Sequence, residues 1–209
     1  MKIPLWLIVS ILVIELGAVL LLVPGSFTKD AIQKESAYVE SSLGPETSEW
    51  INNKADSWHK LIMIDSGIER GIYRTFIPTE KARKESRGME EMGQFWFDWI
   101  KGRINTLSEV VYQFLARIAL LVVWSPYMLI LLVPAVYDGL MTWRIKRTNF
   151  DYASPIIHRY GVRSIGYLFL AFCVVSFSPF AVSPLVIPVV MMITCILIGF
   201  AIGNFQKRV

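Results

Sequence analysis

Charged side chains are scarce in this chain: Asp, Glu, Lys and Arg make up 18% of its 209 residues, against about 25% in a typical globular protein. Cysteine and histidine are scarcer still, with two of each. Cys173 and Cys195 lie within apolar runs, where packing residues are expected rather than a disulfide framework. His59 and His158 have no Cys/His cluster near them in the sequence, so we expect no structural zinc and no other metal site.

The sequence also lacks the common catalytic signatures. It contains no G-x-x-x-x-G-K-[ST] loop, no H-E-x-x-H pair and no G-x-S-x-G elbow. Asp56 and Asp65 lie near His59, but a solvated helix face explains this group without catalysis. We expect a protein that is not an enzyme, with no catalytic residues and no cofactor.

Hydrophobic residues make up 54% of the chain and gather in four long runs, at 3–23, 110–136, 164–182 and 185–205. About 20 apolar residues in a helix cross a hydrocarbon core of about 30 Å. The runs therefore predict an all-α membrane protein with four transmembrane helices, the last two forming a hairpin. Pro126 lies inside the second run, and we expect Ser125 or a neighbouring helix to bond the carbonyl that this proline leaves free.

The segment between the first two runs is polar, with 12 basic and 13 acidic residues at 25–107. Ser26 or Thr28 is a candidate cap for a helix that ends at Gly44-Pro45, and Thr47 or Ser48 for a second helix. The predicted segments are transmembrane helix 1 (1–24), a helical periplasmic region (25–107), transmembrane helix 2 (108–137), a basic cytoplasmic loop (138–163), and a hairpin of helices 3 and 4 with a short cytoplasmic tail (164–209).

The first run favours an uncleaved anchor over a signal peptide. It exceeds the 7–15 apolar residues of a signal sequence, and no A-x-A-like site precedes Pro24. Glu15 lies near its middle, where a carboxylate costs about 3 kcal/mol. We expect Glu15 to hydrogen-bond within the helix bundle or to be protonated, and the alternative is a role in transport.

Arg117 interrupts the second run near its start. We expect its side chain to extend to the outer face of the bilayer, where the guanidinium meets water. The alternative is a contact with a lipid phosphate.

Positive charge in the short connecting segments predicts the orientation, because such segments are rich in Lys and Arg on the cytoplasmic side. Eight cations fall on one side if four spans alternate. They are Lys2, Arg144, Lys146, Arg147, Arg159, Arg163, Lys207 and Arg208. Both termini are therefore expected in the cytoplasm, with the polar segment on the opposite side.

The most specific pattern follows the second run. Val133-Pro-Ala-Val-Tyr-Asp-Gly-Leu leads into Arg144-Ile-Lys-Arg, then Tyr152-Ala-Ser-Pro and His158-Arg-Tyr. This pattern resembles that of integral membrane proteins encoded in the transfer regions of bacterial conjugative plasmids and integrative conjugative elements, commonly beside the gene of the coupling-protein ATPase. The resemblance is closest over residues 133–163.

The resemblance implies a multi-pass protein of the bacterial inner membrane that acts as a partner or scaffold of the coupling protein and the type IV secretion machinery in conjugative DNA transfer. Other transfer membrane proteins are further expected partners. The partner-binding residues to which it points are Asp138, Arg144, Lys146, Arg147, Ser154, Pro155, His158 and Arg159.

Other interpretations of these features need no family. The cations of the basic segment are suited to anionic lipid headgroups, at about 1 kcal/mol each, whereas direct nucleic-acid binding is not expected of scattered cations without stacking aromatics. Gly199 and Gly203 suit a homo-oligomer or packing within one chain. A small transporter or channel subunit with Glu15 in its pathway is the alternative function. Five aromatic residues of the polar segment could form a surface for a periplasmic partner, but interface anchoring or core packing explains them better. They are Trp50, Trp58, Phe95, Trp96 and Trp99.

The predicted orientation is tested by alkaline phosphatase fusions, which are active only outside the cytoplasm. A fusion at Lys84 should be active, because the long polar segment is translocated, whereas fusions at Thr148 and Val209 should be inactive. Activity at Thr148 would reverse the orientation.

Overall fold

The computed structural model describes residues 5–77, 90–149 and 152–205, and within these ranges every regular element is helical. The elements are α1 (Leu5–Leu22), α2 (Gly25–Leu43), α3 (Pro45–His59), a π-helical segment (Lys60–Asp65), α4 (Ile68–Phe76), α5 (Glu90–Thr148), α6 (Pro155–Phe177) and α7 (Val186–Gly203). The all-α prediction is confirmed.

Proline and glycine set the boundaries of the first helices. Pro24 holds the N-cap position of α2 and supplies no side-chain cap, so the prediction of a Ser26 or Thr28 cap is wrong. Gly44 separates α2 from α3. Its φ is 88°, a positive value that glycine adopts readily and other residues rarely do. Helix α3 begins at Pro45 with Gly44 at its N-cap, so the expected cap at Thr47 or Ser48 is three or four residues late.

The second helix of the polar segment, which the apolar spacing predicts from its cap at Thr47 or Ser48 to Phe76, is interrupted. The chain passes through the π-helical segment and then Gly67, whose φ is 76°. Only α4 follows among the described residues before position 78.

Helix α5 continues through both of its prolines, Pro126 and Pro134. The Ser125 hydroxyl donates to Val122 O at 2.7 Å. Val122 is four residues before Pro126, and its carbonyl has therefore lost its helical donor. The predicted role of Ser125 is confirmed, and it explains how the helix tolerates Pro126 without ending.

Residues 138–163, predicted as a loop, are largely helical. Helix α5 extends to Thr148 and α6 begins at Pro155, so the described residues between them are Asn149 and 152–154. The prediction was wrong because an Asp-Gly pair typically ends or bends a helix, whereas Gly139 is an interior residue of α5.

Three described helices, α5, α6 and α7, are long and apolar enough to cross a membrane. A fourth span is counted only if α1 and α2, which meet at a bend of 112°, form one broken span. At the start of α5 the side chains of Phe95 and Trp96 are 77% and 55% exposed, respectively. Core packing is therefore wrong for these two aromatics, and interface anchoring stays a prediction.

The chain divides into two compact units, with boundaries that fall inside α1, α5 and α6. The first unit comprises residues 1–12, 120–175 and 183–209, and the second comprises 13–119 and 176–182. The described parts of each are considered separately below.

Glycine brings α5 and α7 together in the first unit. A Cβ at Gly139 would lie 2.8 Å from Gly199 O and 3.0 Å from Ile202 Cβ, and a Cβ at Gly203 would lie 3.2 Å from Thr142 Cγ2. Such close approach of backbones is typical of helix pairs in membranes. Gly199 and Gly203 therefore serve packing within one chain.

We expect Gly139→Ala to force α5 and α7 apart, because the added methyl group overlaps backbone of α7. Overpacking of this kind costs about 1–3 kcal/mol and should lower the Tm of the purified protein in detergent. Gly17→Ala is the matched control, since a Cβ there meets nothing within 4 Å in the described part of the chain apart from the adjoining backbone of α1. Equal Tm values for the two variants would contradict the close approach.

Candidate functional site

The second unit contains a buried ion pair between α2 and α5. Arg117 Nε donates to Glu35 Oε1 and Nη2 donates to Glu35 Oε2, each at 2.9 Å. The two side chains are 5% and 10% exposed, and Gln113 Nε2 also donates to Glu35 Oε2 at 2.9 Å. A paired and hydrogen-bonded carboxylate offsets part of the cost of burying the cation.

The remaining donors of Arg117 bond backbone carbonyls near the end of α6. Nη1 donates to Ser176 O at 3.1 Å and to Ser178 O at 2.8 Å, and Nη2 donates to Phe180 O at 2.6 Å. The last carbonyls of a helix lack intrahelical partners. With the two bonds to Glu35, these contacts engage all five N–H donors of a guanidinium.

This arrangement corrects both interpretations of Arg117. The side chain does not extend to the surface, and its described partners are protein groups rather than lipid. Glu35 was missed, although one signal was present. Glu35 belongs to the buried face of α2 with Thr28, Ala31 and Val39, at helical spacing.

Glu15 lies in the same unit and is half-buried. Its Oε2 atom is buried and has no hydrogen-bond partner within the described part of the chain. The expected contact within the bundle is therefore not seen for this oxygen. The protonation state of Glu15 stays a prediction.

The expected solvated helix face around His59 is not observed. It is half-buried. Its Nε2 lies 2.9 Å from Ser108 Oγ, and its ring meets Tyr112 edge to face at 6.1 Å. These contacts join the end of α3 to α5.

The first unit brings together the end of α5, the start of α6 and the end of α7. Lys146 Nζ donates to Asn204 Oδ1 at 2.8 Å, and His158 Nδ1 donates to Ala201 O at 2.7 Å. Both contacts place a side-chain donor at the C-terminal end of α7. Two of the predicted partner-binding residues therefore hold the protein's own helices together.

Ser154 and Pro155 also have local structural roles. Ser154 Oγ accepts from Ile157 N at 3.4 Å, and Ser154 O accepts from His158 N at 3.3 Å. Pro155 is the first residue of α6, a position that favours proline.

Four predicted partner-binding residues have exposed side chains: Asp138, Arg144, Arg147 and Arg159. The guanidinium carbon of Arg147 lies 5.5 Å from the centre of the Trp143 ring. This contact limits the motion of the arginine side chain and leaves it exposed. We call the three arginines of this group the arginine surface. The tail cations Lys207 and Arg208 lie outside the described residues.

These features define a helical membrane protein with a basic surface at the helix ends of one unit and a buried ion pair in the other. The chain belongs to the DtrJ-like family, described as IncC plasmid conjugative DNA transfer protein DtrJ-like, which matches residues 26–208. This membership confirms the resemblance to conjugative transfer proteins and implies a role in conjugative DNA transfer. No curated protein and no solved structure matches the chain.

The geometry at Arg117 predicts that lysine cannot replace it. Lysine keeps the charge but has one nitrogen, so it loses at least two of the bonds to Glu35 and the carbonyls. At about 1 kcal/mol for each lost bond, Arg117→Lys should cost about 2 kcal/mol, and Arg117→Ala about 3–5 kcal/mol.

The measurement is the Tm of the purified protein in detergent, with Arg74→Lys on an exposed face as the control. Wild-type stability in Arg117→Lys would mean that the charge alone, rather than the five-donor geometry, holds α2, α5 and the end of α6.

Proposed function

We propose that this protein is a non-enzymatic scaffold of the bacterial inner membrane that receives the coupling-protein ATPase of the type IV secretion machinery during conjugative DNA transfer. Membership of the DtrJ-like family supports the role in conjugative DNA transfer. The observation that supports the choice of partner is the arginine surface. Arg144, Arg147 and Arg159 stay exposed, whereas the neighbouring Lys146 and His158 are used in internal contacts.

Fixed backbone makes this surface suitable for recognition. Arg144 and Arg147 are on the last turns of α5, and Arg159 is on the first turns of α6. The contacts of Lys146 and His158 with α7 hold both helices, so a partner would pay little to order them. Arginine presents a planar fork that matches carboxylates, which favours an acidic surface on the partner.

The charge distribution supports a cytoplasmic position for this surface. The eight cations predict it through the positive-inside rule, and an ATPase needs cytoplasmic ATP. Helices α2 to α4 would then lie in the periplasm, where other transfer membrane proteins are available as partners. Direct binding of nucleic acid is not part of the proposal.

Two alternatives make different predictions. If the arginine surface only meets anionic headgroups, neutralising it weakens interfacial attraction by about 1 kcal/mol per residue and leaves transfer unchanged. The transporter alternative is favoured by the buried Oε2 of Glu15, which has no hydrogen-bond partner among the residues that the structure describes. Solute flux in proteoliposomes that is lost in Glu15→Gln would support it.

We expect reversal of Arg144, Arg147 and Arg159 to Glu to abolish co-purification with the coupling protein and to lower conjugation frequency. Three contacts of about 1 kcal/mol each correspond to about 100-fold in affinity, and the new negative charges add repulsion. Membrane level should stay normal, because the apolar helices still anchor the chain.

The matched control reverses three exposed cations of the second unit, Lys34, Lys54 and Arg70. Unchanged co-purification in the arginine variant would refute the docking surface while leaving a role in transfer open. Wild-type conjugation from a strain that lacks the gene would refute the role in transfer as well.

A further inference from the structure

A cavity of about 390 Å³ lies in the second unit, between the start of α2 and the first part of α5. The lining includes Ser26, Lys29, Asp98, Trp99, Arg103 and Glu109. We propose that this cavity binds the headgroup of a zwitterionic phospholipid, with the phosphate at Lys29 and Arg103 and the ammonium at Glu109.

The two cations of the cavity are Arg103, which a backbone carbonyl holds in place, and Lys29. Arg103 Nη1 donates to Val23 O at 2.6 Å, at the break between α1 and α2. The guanidinium also lies 5.2 Å from the centre of the Trp99 ring. Lys29 Nζ is 3.6 Å from Glu109 Oε1, a long ion pair, and its side chain is 68% exposed. Both cations are therefore available to a phosphate.

The backbone of α2 adds donors beside these cations. The first N–H groups of a helix lack intrahelical acceptors, and Pro24 supplies no side-chain cap. Gly25 and Ser26, the first two residues of α2, line the cavity. Their position favours an anion in addition to the two side chains.

The acidic part of the lining, next to Lys29, requires a donor. Glu109 is 18% exposed, and its Oε2 atom is buried without a hydrogen-bond partner in the described ranges. A buried carboxylate oxygen is costly unless something bonds it. A primary ammonium supplies three N–H donors, and Asp98 adds a second carboxylate to the lining.

The charges of the lining select a zwitterion. Lys29 and Arg103 balance Asp98 and Glu109, so a headgroup with a phosphate and an ammonium leaves no net charge in the cavity. An anionic headgroup such as phosphatidylglycerol satisfies the cations but gives no ammonium to Glu109.

Apolar surface nearby along the chain favours a lipid over a soluble phosphodiester. Leu21 and Leu22, at the end of α1, are 61% and 79% exposed, and Trp96, one turn before Trp99, is 55% exposed. Acyl chains would cover these side chains while the headgroup occupies the cavity.

The test measures lipid binding to the purified, delipidated full chain by native mass spectrometry. The probes are phosphatidylethanolamine, phosphatidylglycerol and glycerophosphoethanolamine, which has the headgroup without acyl chains. We expect phosphatidylethanolamine to bind at least about tenfold more tightly than phosphatidylglycerol, since a hydrogen bond to a charged group is worth about that factor. It should also bind more tightly than glycerophosphoethanolamine, which has no acyl chains to cover the apolar surface.

Two variants assign the ends of the headgroup. Glu109→Gln should remove the preference for phosphatidylethanolamine while leaving phosphatidylglycerol binding unchanged, and Lys29→Gln should weaken both. Glu40→Gln and Lys34→Gln are the controls, because both side chains are exposed elsewhere on α2.

Equal binding of the two lipids to the wild-type chain would overturn the proposal even if a variant failed to fold. Equal binding of glycerophosphoethanolamine would replace the lipid with a soluble phosphodiester, which also overturns it. An unchanged preference in Glu109→Gln would refute the ammonium site. Conjugation enters none of these measurements, so they are independent of the proposed docking surface.

Discussion

The second unit depends on one guanidinium that cannot lose its charge. Arg117 stays protonated in any protein environment, so its burial requires a carboxylate and enough acceptors for five N–H groups. Glu35 supplies the carboxylate from α2, and the end of α6 together with the residues after it supplies three carbonyls. Because these partners come from distant parts of the sequence, the same contact that satisfies Arg117 also fixes α2 on α5 and orders the residues after α6. The bend after α1 is consistent with this requirement, since it allows a polar helix to return to α5.

The first unit is held by a different kind of interaction. Lipid tails are as apolar as leucine, so burial of apolar surface alone gives little driving force between spans, and close packing with polar contacts takes its place. Gly139 lets α5 approach the backbone of α7, and Thr142 contacts Gly203. Lys146 and His158 then bond the end of α7. Helix ends that are bonded in this way form a rigid platform for the side chains that remain exposed.

Sequence alone predicted the helical class and the apolar spans of α5, α6 and α7, because run length and the absence of charge determine what crosses a bilayer. It also predicted the use of Ser125, which depends only on residues within one turn of Pro126. It could not predict the pairing of Glu35 with Arg117, which are 82 residues apart, since a single sequence carries no record of long-range contacts. The expected helix end at Gly139 failed for a related reason: the glycine serves an approach to α7 that local propensity does not contain.

The structure also separates residues that the sequence pattern grouped together. That pattern placed Lys146 and His158 beside Arg144, Arg147 and Arg159 as candidate partner-binding residues. Lys146 and His158 are used within the protein, where each donates to an acceptor at the end of α7. The three arginines are exposed, and their planar forks match carboxylates and phosphates alike. The choice of arginine therefore does not by itself separate an acidic protein partner from a lipid phosphate. What favours a specific partner is the fixed backbone at these positions, because helix ends that are already ordered lower the cost of binding one acidic surface.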